Sequence, residues 1–157
     1  PETYLYETEN SMSWTVCPFH GFGVDVQKNI KRYPKLWGIL RQIKGLRTAS
    51  LSKLGPKTTL KKHQGWGTLS NNVLRVHYGI VVPDDCHVGV ETEMQQTKSN
   101  DFLVFDDSKL HWAENRSDKD RVVLILDLDR PDYVKNGTSP ISDTKELENF
   151  INLMKEG

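Results

Sequence analysis

Two histidines that are far apart in the sequence stand next to predicted strands. His63 ends the run Thr58–Lys62 and opens the loop Gln64–Gly67, and His111 lies just past a strand end at Phe105. Imidazole is the most common protein ligand for metals near neutral pH, and two imidazoles at strand ends can meet across the mouth of a β-barrel. A single histidine is more often an ordinary hydrogen-bonding residue. The pair therefore indicates a metal site only when it is read together with its neighbours.

Four short motifs surround the two histidines: Leu60-Lys-Lys-His-Gln-Gly65, Leu74-Arg-Val-His-Tyr-Gly-Ile-Val-Val-Pro83, Phe102-Leu-Val-Phe-Asp-Asp-Ser108 followed by His111, and Arg121-Val-Val-Leu-Ile-Leu-Asp127. In this order and at this approximate spacing they resemble the aspartyl/asparaginyl β-hydroxylase family over about Trp14–Tyr133. The resemblance implies a mainly β protein with the double-stranded β-helix fold, a cupin-like jelly roll, flanked by N- and C-terminal helices. It also implies a dioxygenase that uses Fe(II), O₂ and 2-oxoglutarate as cosubstrate to hydroxylate an unactivated C–H bond.

The resemblance assigns roles to particular residues of this chain. His63 and His111 match the two histidines that bind iron. Arg75 and His77 match a pair that lies near the carboxylate at the iron end of 2-oxoglutarate.

Arg121 and Ser52 match the residues that hold the other end of the cosubstrate. Arg121 follows the second histidine by ten positions, and Ser52 precedes the first by eleven. The distal carboxylate of 2-oxoglutarate requires a buried cation, and the planar guanidinium of arginine binds a carboxylate through two parallel hydrogen bonds. Without the resemblance, Arg121 is equally well explained as a surface strand residue that pairs with Asp127 or Asp129.

Gly65 stands at the position where the usual site of two histidines and one carboxylate has its carboxylate. The family that the chain resembles also has glycine there and uses two protein ligands. A small residue leaves a coordination position for water, and it equally leaves room for a halide, as in iron halogenases that lack the same carboxylate. The chain is therefore predicted to be a hydroxylase, with a 2-oxoglutarate-dependent halogenase as one alternative. A non-catalytic jelly-roll binding module is the other, because one fold hosts many functions.

Two aspartates and three tryptophans lie close to the motifs. Asp106 and Asp107 could ligate the metal or orient a ligand histidine, but their place after a strand favours a turn and an orienting role. The tryptophans could line a substrate pocket or belong to the core, and the resemblance favours the core for the first of Trp14, Trp66 and Trp112.

Strands must position most of these residues. Short β-branched or alternating runs, separated by turns rich in Gly, Pro and Asn, predict roughly six to eight strands of a sandwich or barrel. The runs cover 49–54, 58–62, 73–82, 86–91, 102–105 and 122–128.

Helices are predicted on both sides of the strands. Leu36, Trp37, Leu40 and Ile43 have helical spacing, and Pro34 suits the first turn. A second apolar stripe ends at Met154, and Asp143 with Glu146 resembles a capping box. We predict one oxygenase domain over 1–157, which is helical or irregular at 1–47, has its β core at 48–130 and ends in a helix at 142–156.

Composition limits the partners of the chain. The 157 residues contain 21 Lys and Arg and 21 Asp and Glu, so no net charge favours nucleic acid or a membrane surface. Two cysteines, Cys17 and Cys86, are too few for a disulfide scaffold and predict free thiols in a reducing compartment. We expect a cytoplasmic protein that acts on a small molecule or a peptide, with an Asp- or Asn-type residue or a small amino-acid compound as candidate substrates.

Overall fold

The computed structural model describes residues 6–7 and 13–157. Its strands are β1 (Tyr6–Glu7), β2 (Trp14–Gly21), β3 (Val24–Asp25), β4 (Leu46–Leu54), β5 (Thr58–His63), β6 (Val73–Val81), β7 (Cys86–Val90), β8 (Glu93–Gln96), β9 (Phe102–Phe105), β10 (His111–Asn115) and β11 (Arg121–Asp129). Its helices are α1 (Gln27–Arg32), α2 (Pro34–Leu40), α3 (Gly67–Ser70) and α4 (Lys145–Glu156).

The strands form two antiparallel sheets whose order identifies the fold. One sheet has the order β1-β5-β10-β7-β8 and the other the order β3-β2-β4-β11-β6-β9. From β4 to β11 the chain places four strands in each sheet, with β4-β11-β6-β9 facing β5-β10-β7-β8. This interleaved order is the double-stranded β-helix, so the predicted mainly β, cupin-like jelly roll is confirmed.

The segment 14–21 corrects one prediction. Residues 1–47 were expected to be helical or irregular, but β2 pairs with β4 and widens the larger sheet. Its alternate side chains face two environments: Trp14 and Val16 line the interior cavity, whereas Cys17 and Phe19 pack beneath the helices. Pro18 and a register shift after it interrupt the strand pattern, which is why sequence periodicity did not reveal it.

Two apolar clusters hold the fold together. A cluster on the outer face of the larger sheet packs against α1 and α2, and α2 starts at Pro34 as predicted. The second cluster lies between the sheets and contains Leu54, Val88, Phe105 and Ala113. This inner cluster fills only part of the barrel, and the remaining space forms an interior cavity.

The C-terminal helix forms as predicted but begins differently. Its N-cap is Thr144, whose side chain accepts a hydrogen bond from Leu147 N at 3.2 Å. Asp143, the predicted cap, instead accepts a hydrogen bond from Thr68 Oγ1 at 2.7 Å.

Both cysteines are free, as predicted. Within the described residues, no helix has the length and apolar character needed to cross a membrane.

Candidate active site

The structure brings His63 and His111 together. They are directly opposite each other on the adjacent strands β5 and β10, and their ring centroids are 4.3 Å apart. Both rings line the interior cavity. The pairing of the two strands therefore creates the juxtaposition that the sequence could only suggest.

Backbone carbonyls determine which ring nitrogens are available. His63 Nδ1 lies 2.6 Å from Lys61 O, and His111 Nδ1 lies 2.8 Å from Lys109 O. Because a carbonyl only accepts, each Nδ1 carries the proton and each Nε2 keeps its lone pair. Burial lowers the pKa of both imidazoles, and for His111 burial and the neighbouring His63 lower the pKa to about 3. Both rings are therefore neutral and oriented as metal ligands usually are.

Asp107 lies beside this pair and fills the space next to Gly65. A Cβ atom added to Gly65 would overlap Asp107 Oδ2 and would lie 2.8 Å from the Cβ of Ser70. Asp107 Oδ1 is 3.4 Å from His111 Nε2, and burial raises the pKa of this carboxyl to about 6. Across residues 6–7 and 13–157, no three His, Cys, Asp or Glu side chains are grouped so that they could hold a metal ion. The candidate centre thus consists of two histidines with one carboxylate nearby.

Arg75 connects this carboxylate to the wall of the barrel. Its Nε and Nη2 donate to the two oxygens of Asp127 at 2.8 and 2.9 Å, and its Nη1 lies 2.6 Å from Asp107 Oδ1. Asp127 also accepts a hydrogen bond from Thr48 Oγ1 at 2.5 Å. Burial acts to lower the pKa of Arg75, but the two carboxylates raise it. Arg75 lines the cavity and is already neutralised by protein groups.

His77, two residues further along β6, is buried and carries an unpaired ring nitrogen. Its Nδ1 has no hydrogen-bond partner among the described residues, and its ring packs edge-on against Phe105 at 5.1 Å. Burial and the nearby Arg121 lower its pKa well below the ordinary value. His77 is therefore a neutral polar group that faces the cavity.

Arg121 gives the cavity a buried guanidinium with unused hydrogen-bond donors. Its side chain is only 2% exposed, and neither Nε nor Nη2 has a hydrogen-bond partner in the part of the chain that the structure describes. Burial lowers its pKa to about 10. Ser52 lies on the same inner face of the sheet and receives a hydrogen bond from Trp14 Nε1 at 3.2 Å. An unpaired buried guanidinium is costly, so this end of the cavity is suited to a carboxylate.

A cavity of about 980 Å³ joins these groups. Arg121 and Ser52 line it together with the two histidines and the C-terminal helix α4. All three tryptophans near the motifs also border it: Trp14, Trp66 and Trp112. Its volume is at the upper end of the range for small-molecule sites.

Arg130 organises the loops around the site and was not identified from the sequence. Its guanidinium pairs with Asp106 and donates to Ser70 O at 3.1 Å and Lys135 O at 2.8 Å. Asp106 also accepts from the backbone and hydroxyl of Ser108 at 3.0 and 2.6 Å, which confirms its turn role. No motif spacing marks Arg130, because its partners lie in three separate segments.

The interleaved sheets and the facing pair of histidines, one buried and one half-buried, define a double-stranded β-helix protein with a candidate active site inside the barrel. The sequence profile described as Aspartyl/Asparaginyl beta-hydroxylase matches residues 1–131. The chain belongs to the aspartyl/asparaginyl β-hydroxylase family.

Relatives of the chain include two named hydroxylase types. The "Ornithine lipid ester-linked acyl 2-hydroxylase" of Rhizobium tropici is 37% identical over 75% of this chain and 42% of the relative. The "Aspartate beta-hydroxylase domain-containing protein 2" of Mus musculus is 32% identical over 83% of this chain and 40% of the relative. The chain thus spans about two fifths of the length of these curated relatives. Among solved structures, TT1209 of Thermus thermophilus has a TM-score of 0.50 and 15% identity, covering 82% of this chain and 93% of that protein, which is a likeness of fold alone.

Proposed function

We propose that the protein is an Fe(II)- and 2-oxoglutarate-dependent dioxygenase that hydroxylates an unactivated C–H bond. One observation carries this proposal: two neutral histidines whose Nε2 atoms keep their lone pairs share a cavity with Arg121, a buried arginine whose Nε and Nη2 find no partner among the described residues. Such a cavity offers a metal site and a carboxylate site together. The membership of the chain in a hydroxylase family supports the same reaction class.

The side chains fit both groups. His63 and His111 would bind iron through Nε2, because their Nδ1 atoms are held by backbone carbonyls. Arg121 would bind the distal carboxylate of 2-oxoglutarate with support from the Ser52 hydroxyl, and Arg75 and His77 would line the rest of the cosubstrate site. When bound, iron and 2-oxoglutarate supply the oxidation of the C–H bond by O₂, with release of succinate and CO₂.

The chain itself contributes orientation and exclusion of water. The carbonyls of Lys61 and Lys109 hold the imidazole rings in one tautomer and one direction. Burial keeps both rings unprotonated, so that protons do not compete with the metal. Arg121 is positioned by the start of β11, where it pairs with Leu54 of β4, and β11 is paired on both sides from Val122 onward.

The position of Asp107 supports hydroxylation over halogenation. The halogenase alternative requires the space beside Gly65 for a halide, but the Asp107 carboxylate occupies that space. When ionised, this carboxylate would also repel a halide. The retained histidine pair and the unpaired Arg121 weigh against a non-catalytic binding module.

The names of the relatives suggest two classes of substrate. One relative is named for an acyl chain of an ornithine lipid, and the others are named for a domain that β-hydroxylates aspartate. Both reactions oxidise an aliphatic carbon close to a carbonyl group. For this chain, the side chains at the outer end of the cavity are the observation that helps to choose between these two substrate classes.

The test is iron-dependent release of succinate from 2-oxoglutarate. We expect wild-type turnover and its loss in His63→Ala and in His111→Ala. His87→Ala is a matched control, because His87 lies on β7 and is not among the described residues that line the cavity. Wild-type rates in both site variants would refute the assignment. A calorimetric titration with Mn(II), which binds without turnover, separates loss of metal from loss of catalysis.

A further inference from the structure

We propose that the C-terminal segment, residues 137–157, forms a binding site for an aliphatic chain of the substrate at the outer end of the cavity. This inference rests on the proposed function and names its substrate class. The family match ends at residue 131. This part of the cavity wall is therefore built by residues outside the matched region.

The start of the C-terminal segment is attached to the loop that follows His63. Gly67 N donates to Ile141 O at 2.8 Å, and Ser139 Oγ donates to Gly65 O at 2.6 Å. Asn71 adds a reciprocal pair with the backbone of Ser139, at 2.7 and 3.1 Å. The segment thus lies beside the loop that follows His63.

Helix α4 presents apolar side chains to the cavity. Leu147 and Met154 are buried and anchor the helix to the protein. Phe150 and Leu153 line the cavity together with the polar Glu146 and Asn149, and Leu153 remains 66% exposed. An exposed leucine on the wall of a cavity gains stability when an apolar ligand covers it.

Aromatic side chains continue this wall towards the histidines. Phe22, in the turn between β2 and β3, packs edge-on against Trp66 with a centroid distance of 6.4 Å. Trp66 belongs to the same loop as Gly65 and Gly67, and it shares the cavity with Ile141. An apolar path therefore connects the C-terminal segment with the loop next to His63.

The cation near the histidines, Arg75, is not available to bind a charged substrate group. Arg75 acts electrostatically on both His63 and His111, but Asp127 and Asp107 already neutralise it. The guanidinium of Arg75 therefore offers little attraction to a carboxylate of the substrate. An aliphatic carbon chain carries no charge that requires a cation, and its binding is strengthened by burial against the apolar wall.

The inference can be tested by titrating the ¹⁵N-labelled Arg121→Met variant, in which the proposed carboxylate site is removed, with hexanoate, octanoate and decanoate, without iron or 2-oxoglutarate. We expect affinity to rise by up to about tenfold for each added pair of methylene groups. The amide signals of residues 139–154 and of the loop after His63 should shift. N-acetyl-aspartate amide, a polar probe, should bind more weakly than decanoate.

Leu153→Ser should weaken decanoate binding by about tenfold and flatten the dependence on chain length. Ile39→Ser is the matched control, because Ile39 is 64% exposed on α2 and is not one of the described residues that line the cavity. Both sites are exposed, so neither change should unfold the protein. Unchanged binding in Leu153→Ser, or tighter binding of the polar probe, would overturn the inference. If the wild-type protein does not turn over 2-oxoglutarate but decanoate binding is as expected, the proposed function is wrong, and the site for an aliphatic chain remains supported.

Discussion

The carboxylate of Asp107 occupies the space that a side chain at Gly65 would need. A Cβ atom at position 65 would lie 2.9 Å from Asp107 Cγ and would overlap one of its oxygens. Gly65 N also donates to Asp107 O at 2.9 Å, so the two residues are joined through their backbones. The glycine next to the candidate iron ligand is therefore required by packing, and a carboxylate from a different loop takes the place beside it.

This packing predicts that substitutions at the two positions are not additive. Gly65→Ala should destabilise the protein by about 1–3 kcal/mol, because the added methyl group overlaps Asp107. Asp107→Ala removes most of that overlap, so the double variant should be more stable than the sum of the single effects implies. Urea unfolding of the four proteins measures the coupling. Effects that add to within about 0.5 kcal/mol would show that the two side chains do not compete for space.

The unpaired guanidinium of Arg121 should lower the free energy of unfolding of the protein when no anion is bound. Arg121→Met replaces an unpaired buried guanidinium by an apolar side chain, and we expect the ligand-free protein to become more stable by about 1–3 kcal/mol. With Mn(II) present, 2-oxoglutarate at 100 times its Kd should stabilise the wild type by about 2.7 kcal/mol and leave the variant unaffected. Thermal unfolding measures both effects.

Arg47→Met is the control for the Arg121 experiment, because Arg47 is exposed and pairs with Asp129 on the surface. It should retain the stabilisation by 2-oxoglutarate. Equal stabilisation of Arg121→Met and of the wild type by 2-oxoglutarate would show that Arg121 does not bind the cosubstrate.

Asp106 should make stability depend on pH. Burial opposes ionisation, but hydrogen bonds from Arg130 and Ser108 lower its pKa below the ordinary value. Its contribution is therefore complete above its unfolded pKa of about 3.9 and is lost as pH falls through the lower folded pKa. Asp106→Asn should cost about 1–3 kcal/mol at pH 7 and much less near pH 2, as measured by urea unfolding. A cost that does not change with pH would mean that the charge is not involved.

The cap of the C-terminal helix can be tested by two neighbouring substitutions. Thr144→Ala removes the hydrogen bond to Leu147 N and should cost about 1 kcal/mol. Asp143→Ala removes only an exposed bond from Thr68 and should cost about 0.5 kcal/mol or less. Denaturant unfolding distinguishes the two. A larger loss of stability in Asp143→Ala than in Thr144→Ala would show that Asp143 caps the helix, as the sequence suggested.

The sequence by itself determined the fold class and the residue types that can bind a metal. Strands such as β4 and β6 follow from alternating side chains, and ligand chemistry follows from residue type. These properties belong to short stretches of chain, and the resemblance of four ordered motifs to a known family implied that His63, His111 and Arg121 share one site. The structure brings all three to the same cavity.

Only the tertiary structure decided the features that depend on contacts between distant segments. The pattern of β2 was hidden by Pro18 and became a strand through its pairing with β4. Arg130 binds groups from three separate segments of the chain. Asp107 lies beside Gly65 although the two residues belong to different loops. The C-terminal helix was predictable from its apolar stripe, but its position along the cavity was not. Local periodicity records which face of an element is apolar, whereas the surface that meets that face is decided by the packing of the whole chain.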